Sequence, residues 1–495
     1  MMFATEPGRV APDRTGTVRL SKSLVVESPM RRRWIVITLI VLSSLALIAR
    51  IATDVHFKAW KSPSAMEHRS IAMALVNGKG FTFGDWGYYG PTSVQSPPFP
   101  FLLAGMYEVF HAVGPDGKLI EAHAEKAYFA IMVMNAIAGA GLVWLTYLMT
   151  RTLGGTPLAG LIAAGLVAFW PTQLYAARFV QAVSMITTGL AGVIILYYMA
   201  IRSGKMGPWI GYSFLMCIVT LTEPVFLPAL VISGGLILVC RQLTWTQRLR
   251  NAAILAFAFF AVIGPWATRN YIVHGKLIPV KGSFWVNVWK GNNDYATGSD
   301  RLKITEAEQK RIARQADAGE NDDISDTAHL RDMLDLSIQL RLANHPEAER
   351  EEIFKEIAQT WIKDHPQRFM QLCGIRLVKT LTYDWDNPRA YLNPTYKVVR
   401  LSLLGLTMPA LILAWKRRWA LGFPAILVIT ALASYTLTVT AARFAFPFEP
   451  IQLALAGGMI ALLLPDPDRV RDSNSPRRGF EPVTMPRMTQ PAMSH

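Results

Sequence analysis

Long apolar runs separated by short polar breaks dominate the chain. Ten of them have the length of a bilayer-crossing helix: 34–52, 127–150, 156–173, 180–201, 207–222, 224–240, 251–267, 399–415, 419–440 and 447–464. A helix rises about 1.5 Å per residue, so roughly twenty apolar residues cover a hydrocarbon core of about 30 Å. Each run is therefore expected to be a membrane span, and helical, because a single segment in lipid has to satisfy its own N–H and C=O groups. The apolar piece 99–113 is shorter. It is expected to lie along the bilayer surface, with an eleventh span as the alternative.

Two long polar regions interrupt the runs, at 53–126 and 269–396. In the second, Ile353, Phe354, Ile357, Ala358, Trp361 and Ile362 recur at helical spacing among charged residues, which predicts an amphipathic helix. Asp364-His365-Pro366 should stop it. The charged run 306–323 reads as a solvated face and is assigned no chemistry. The ends, 1–30 and 466–495, lack apolar periodicity and are expected to be disordered tails. The expected organisation is a tail 1–30, spans one to seven within 31–268 including the loop 53–126, a soluble region 269–396, spans eight to ten within 397–465, and a tail 466–495.

Composition agrees with an all-α polytopic membrane protein: of 495 residues, 52% are hydrophobic and 17% charged, which excludes an ordinary soluble globule. The net charge of +15 changes the picture less than its placement does. Lys and Arg cluster at span ends, at Arg31 to Arg33, Arg151, Arg202 and Lys205, Arg241, Arg248 and Arg250, Lys416 to Arg418, and Arg469 and Arg471. Cationic ends stay in the cytoplasm, so both termini are expected there and both polar regions outside. No nucleic-acid partner is implied. The first run, behind a long polar lead, reads as a retained anchor rather than a cleaved signal. Cys217 and Cys240 lie in apolar runs and Cys373 stands alone, so no disulfide framework is expected. His56, His68 and His111 lack metal-ligand spacing. No metal is indicated, and a divalent cation is left open.

Polar constellations gather at the ends of the spans predicted to be external. Glu67, His68 and Lys79 are in the first loop, and Arg178 and Gln181 follow the third span. Pro265-Trp266-Ala267-Thr268-Arg269-Asn270-Tyr271 closes the seventh and leads to Lys281, then Gly291-Asn292-Asn293. Tyr383-Asp384-Trp385-Asp386 precedes the eighth, and Arg443 to Pro450 links the last two. Polar groups converging on one membrane face imply a site there.

These motifs in this order resemble the bacterial GT-C membrane glycosyltransferases, relatives of glycosyltransferase family 39, the protein O-mannosyltransferases and the lipid A aminoarabinose transferases. The likeness runs over about residues 31–465 and rests on Glu67-X-X-X-Ile71-Ala72, Asn77-Gly78-Lys79-Gly80-Phe81, Pro97-Pro98-Phe99-Pro100, Pro265-Trp266-X-X-Arg269-Asn270-Tyr271, Gly291-Asn292-Asn293-X-X-Ala296-Thr297-Gly298 and Arg443-Phe444-X-X-Pro447-X-X-Pro450. It implies a multi-pass enzyme of the bacterial inner membrane. Such an enzyme takes a sugar from a polyprenyl-phosphate donor and gives it to a lipid, glycan or protein acceptor on the periplasmic side. In that family a first-loop carboxylate matches Glu67, the general base expected for an inverting displacement. Arg269 and Arg443 match motif arginines expected to hold the donor phosphate, with Lys79 and Lys281 as further candidates by position. His68, Asn292, Asn293, Asp384 and Asp386 are candidate sugar or acceptor contacts.

Plainer readings stand beside these. Glu67 reads equally as a solvated helix start, Arg269 and Arg443 as interfacial anchors, Gly291-Asn292-Asn293 as a turn, and Tyr383 with Trp385 as an aromatic belt. Two positions depart from the family pattern: Glu223 stands where Arg is frequent, and Gln181 where an acid is frequent. Two rival functions follow. A polar-lipid transporter or flippase predicts ionised groups deep within spans, and this chain carries almost none. A noncatalytic GT-C-like assembly protein predicts lost site residues.

Overall fold

The computed structural model describes residues 29–61, 63, 65, 67–300, 334, 336–385 and 393–464. The expected tails, the 306–323 run and Asp386 lie outside the described residues.

Every expected span coincides with an apolar helix, but these helices are of two kinds. Met30–Phe57, Glu121–Leu153, Val183–Ser203, Pro394–Lys416 and Ala442–Leu463 are long and apolar enough to cross a membrane. Trp245–Val262 and Gly264–His274, bent by 45°, make a sixth if taken as one span. Pro157–Phe169, Met206–Thr222, Pro224–Val239 and Gly422–Leu437 are shorter apolar helices. Proline accounts for two of the breaks, since the residue before it avoids helical geometry. Trp170, ahead of Pro171, takes φ −64 and ψ 123, and the run expected at 156–173 becomes Pro157–Phe169 and Pro171–Ala176. Glu223, ahead of Pro224, takes φ −137 and ψ 101. That break takes Glu223 out of the helix.

Small residues and aromatic rings set the packing. Gly457 lets Glu449–Leu463 close on Pro157–Phe169, where a Cβ would come within 2.7 Å of Ala159 O. Tyr197 stacks on Phe423 at 4.0 Å between centroids, against buried Trp209 and Tyr212. Charged side chains are enclosed among these helices as well. Arg50 is 1% exposed and donates to the carbonyls of Ala46, Val167 and Ala168. Arg400 pairs with Glu449 at 3.1 Å, and Thr172 and Gln173 also donate to that carboxylate.

The piece 99–113 forms the helix Pro98–Val109 of 12 residues. At about 1.5 Å per residue it is far short of a hydrocarbon core. It packs on Glu67–Val76 and Glu121–Leu153. The all-α expectation needs one correction: Thr82–Asp85 and Tyr88–Pro91 form an antiparallel ribbon in register Thr82 with Pro91 and Asp85 with Tyr88. Its turn places Trp86 at φ 53 and Gly87 at φ 78, the positive pair that a tight two-residue hairpin requires.

The amphipathic helix forms at Glu347–Asp364, with Phe354 and Ala358 buried against Trp86, Val288 and Trp289. Pro366 begins the next helix, Pro366–Leu381, whose faces are reversed for a helix of a soluble region. Arg376, Lys379 and Thr380 point inward, while Met370, Leu377, Val378 and Leu381 are exposed.

Candidate active site

Glu67 opens the helix Glu67–Val76, where the unpaired amides of the first turn favour a carboxylate. Gln95 Nε2 donates to its Oε2 at 2.9 Å. Burial raises the carboxyl's pKa, but the Glu67 amide and the charges of Lys281 and Lys290, joined by His68 when its ring is protonated, outweigh this and hold it below the ordinary value of 4.5. The group is a carboxylate at neutral pH.

His68 follows on the same turn, its ring 5.0 Å from that of Phe99 and its Nδ1 buried without a hydrogen bond. Burial brings its pKa down from 6.5 to about 4; Lys281 and Arg443 add to the shift, and Glu67 opposes it. His68 is therefore a neutral imidazole beside a carboxylate. Between about pH 4 and 6.5 the unfolded chain binds a proton there that the native state does not, so stability should rise with pH across that window. Thermal unfolding from pH 4 to 7 is expected to show this rise, and His68→Asn to flatten it; an identical slope in the variant would reject the assignment.

Three cations act on this recess: Lys281 on both Glu67 and His68, Lys290 on Glu67 and Arg443 on His68. Lys281 is placed by its neighbours. Trp266 Nε1 donates to Val280 O at 2.7 Å, and Gly282 N donates to Ser93 O at 2.9 Å. Its own ammonium makes no hydrogen bond or ion pair among the described residues, yet its charge acts on Glu67, His68 and Glu223. Lys290 lies on the short helix Phe284–Gly291, whose free amides at Trp285 and Val286 are capped by Glu351 at 2.8 and 3.2 Å. Arg443 sits on the 3-10 segment Ala442–Phe448, 3.6 Å from Asp300 and over the Phe444 ring. Glu223, at the proline break, lies in the field of Lys281 and Arg443, with Tyr435 beside it.

The other sequence candidates are placed elsewhere. Arg269 donates to Thr92 O at 2.7 Å, Phe81 O at 2.9 Å and Asn270 Oδ1 at 3.0 Å, so its fork ties the two ends of the hairpin to the bundle. Arg269→Gln is expected to cost about 1–3 kcal/mol of stability, read as a lower melting temperature. Lys79 is exposed at a loop tip over Tyr89 and is not among the charges acting on Glu67. Asn292 and Asn293 are turn-forming residues, as the plainer reading had them. Asn292 donates to Val288 O and Leu437 O and accepts from Arg376, while Asn293 donates to Trp289 O and Lys290 O and accepts from Tyr295 N. Asp384 is 3% exposed and paired with Lys379 at 3.2 Å, so its charge is already matched.

Lys290, Gln95 and Glu223 had no site role in the sequence reading. The signals were present but weak: Lys290 directly precedes the Gly-Asn-Asn turn, and Glu223 sits before a proline, where a helix opens. Asp54 was also missed. It is 1% exposed, both oxygens lack hydrogen bonds, and Arg50 and Arg178 supply the countercharge. Among the described residues no group of three His, Cys, Asp or Glu side chains is placed to hold a metal ion.

No protein-family model matches the chain, and no curated protein matches it. Among solved structures it is similar to the archaeal oligosaccharyltransferase AglB from Archaeoglobus fulgidus in complex with an inhibitory peptide and a dolichol-phosphate. Identity is 14% and the TM-score 0.47, over 90% of this chain and 52% of that one. It is also similar to the oligosaccharyltransferase of that organism tethered with an acceptor peptide, at 14% identity and TM-score 0.49 over 90% and 51%. A third is ArnT from Cupriavidus metallidurans bound to undecaprenyl phosphate, at 11% identity and TM-score 0.32 over 87% and 78%. The chain spans about half the length of the archaeal enzyme.

Proposed function

We propose that the chain is a membrane glycosyltransferase that moves a sugar from a polyprenyl-phosphate donor to an acceptor hydroxyl, at the end of the bundle that carries Glu67. One observation supports this reading: Glu67, hydrogen-bonded by Gln95 and held ionised, feels the charges of Lys281 and Lys290, and its neighbour His68 those of Lys281 and Arg443. A base beside a cluster of cations is what displacement of a phosphate leaving group requires.

The acceptor oxygen attacks the anomeric carbon as its proton passes to a Glu67 oxygen. The bond from that carbon to the phosphate oxygen breaks on the opposite face, its electron pair stays with the phosphate, and the carbon inverts. Gln95 holds the Glu67 carboxylate in place. Neutral His68, with Nδ1 unbonded, offers a hydrogen bond to a sugar or acceptor hydroxyl. The planar fork of Arg443 suits two phosphate oxygens, and Lys281 and Lys290 act as point charges. Glu223 lowers the repulsion between Lys281 and Arg443 before a donor arrives.

The test is the purified chain in lipid nanodiscs with a panel of polyprenyl-phosphate sugars, following transfer to an acceptor or hydrolysis of the donor. Consumption of one donor, weakened by Lys281→Gln with an unchanged melting temperature, is expected. A chain that consumes no donor yet moves labelled polar lipid across proteoliposome membranes would overturn the reading in favour of a flippase.

A further inference from the structure

We propose a second lipid site, for an anionic glycerophospholipid, on the lipid-facing side of the bundle at the end away from the Glu67 recess. The helices Met206–Thr222 and Trp245–Val262 lie side by side, and residues at helical spacing on each form one groove. Ile210 and Phe214 come from the first, and Arg250, Ala253, Ile254 and Phe257 from the second; together they line a cavity of about 520 Å³. The Phe214 and Phe257 rings meet edge to face at 6.2 Å in its lining. Phe257 is 66% exposed, so the groove opens outward to where hydrocarbon would lie.

Five of the six lining residues are apolar, and the sixth sets the ligand's charge. Arg250 stands at one end of the groove with its guanidinium fixed: Nε and Nη2 donate to Asn251 Oδ1 at 3.1 Å, and Nη2 also to Gly204 O at 3.3 Å. Nη1 makes no hydrogen bond among the described residues. Arg202, Lys205, Arg241 and Arg248 belong to the same stretch, and between residues 201 and 250 the one acid is Glu223, beyond the far end of Met206–Thr222. A fixed guanidinium with a basic surround and no local carboxylate selects a net negative headgroup over a zwitterion, which brings its own cation. The apolar walls take an acyl chain.

This site needs only that the bundle sits in a bilayer and is independent of the reaction proposed above. Native mass spectrometry of the detergent-purified full chain, titrated with phosphatidylglycerol or phosphatidylcholine, tests it. The wild type is expected to hold phosphatidylglycerol about fivefold more tightly. Arg250→Gln is expected to bring the two lipids to parity, and Ala253→Phe, which fills the groove, to weaken both. Equal retention of the two lipids by the wild type would overturn the proposal, as would an unchanged preference in Arg250→Gln. Displacement of phosphatidylglycerol by an equal concentration of a polyprenyl phosphate would also overturn it, and would make the groove a donor-loading site. If Arg250→Gln does not fold, the wild-type preference and Ala253→Phe decide.

Discussion

Glu67→Gln is expected to lower kcat/KM for sugar transfer by about 10²–10⁴-fold, with donor affinity and melting temperature close to wild type. The substitution keeps the shape of the side chain and an oxygen able to accept from Gln95, which bonds Oε2 at 2.9 Å, so the hydrogen bond that orients the group survives. What it removes is the capacity to take a proton. A carboxylate that only capped the helix would lose little as an amide, whereas the base of a displacement would lose nearly everything at the chemical step. Single-turnover transfer from the active donor, with donor binding measured separately, tells these apart. Wild-type turnover in Glu67→Gln would remove it as the base.

The second large effect is on stability, at Gly291. A Cβ there would fall inside van der Waals contact of Thr438 O and 3.0 Å from Arg376 Nη1. That nitrogen donates to Gly291 O, while Nε donates to Thr436 O at 2.6 Å and Nη2 to Asn292 Oδ1 at 2.9 Å. Arg376 is wholly buried, so its charge depends on these acceptors. Gly291→Ala must push the helix Phe284–Gly291 off the end of Gly422–Leu437 and pull those bonds apart, at an expected cost of about 3 kcal/mol or more. Lys290, on the displaced helix, would leave the recess as well. A melting curve in detergent shows the first effect and donor affinity the second; a variant as stable as the wild type would mean the contact is far looser than described.

The bilayer made most of the helices legible in advance. A hydrocarbon core dictates the length and apolarity of whatever sits in it, and every expected span coincides with an apolar helix. Less visible was how proline divides those runs: 156–173 read as one continuous segment, but Pro171 splits it. At the candidate site, Glu67 and Arg443 were legible as motif positions and Lys281 only by its place after Arg269, since Lys and Arg also cluster at span ends as topology signals. For Arg269 the motif gives the residue type and not the carbonyl partners it has in the fold. A buried guanidinium serves carbonyls such as those of Thr92 and Phe81 as readily as phosphate oxygens. Asn292 and Asn293 pose the same ambiguity, since the amide groups that suit a sugar also suit a turn. The buried charges at Arg50, Asp54, Arg400 and Glu449 contradict the expectation of span interiors almost free of ions. Arg50 is bonded to carbonyls, Arg400 and Glu449 are paired, and Asp54 lies in the field of two arginines, so the rival transporter gains nothing from them.

The first loop is closed by a residue far along the chain. Glu347 accepts from Ser93 N at 3.0 Å and Ser93 Oγ at 2.5 Å, and from Thr92 Oγ1, across a separation of 254 residues from Ser93. During synthesis, then, the early helices can enter the bilayer while the segment that carries Glu67 still lacks its clasp. That clasp closes only after residue 347 has left the ribosome. A chain stopped before that point would hold its early helices together with the Glu67 segment still unclasped.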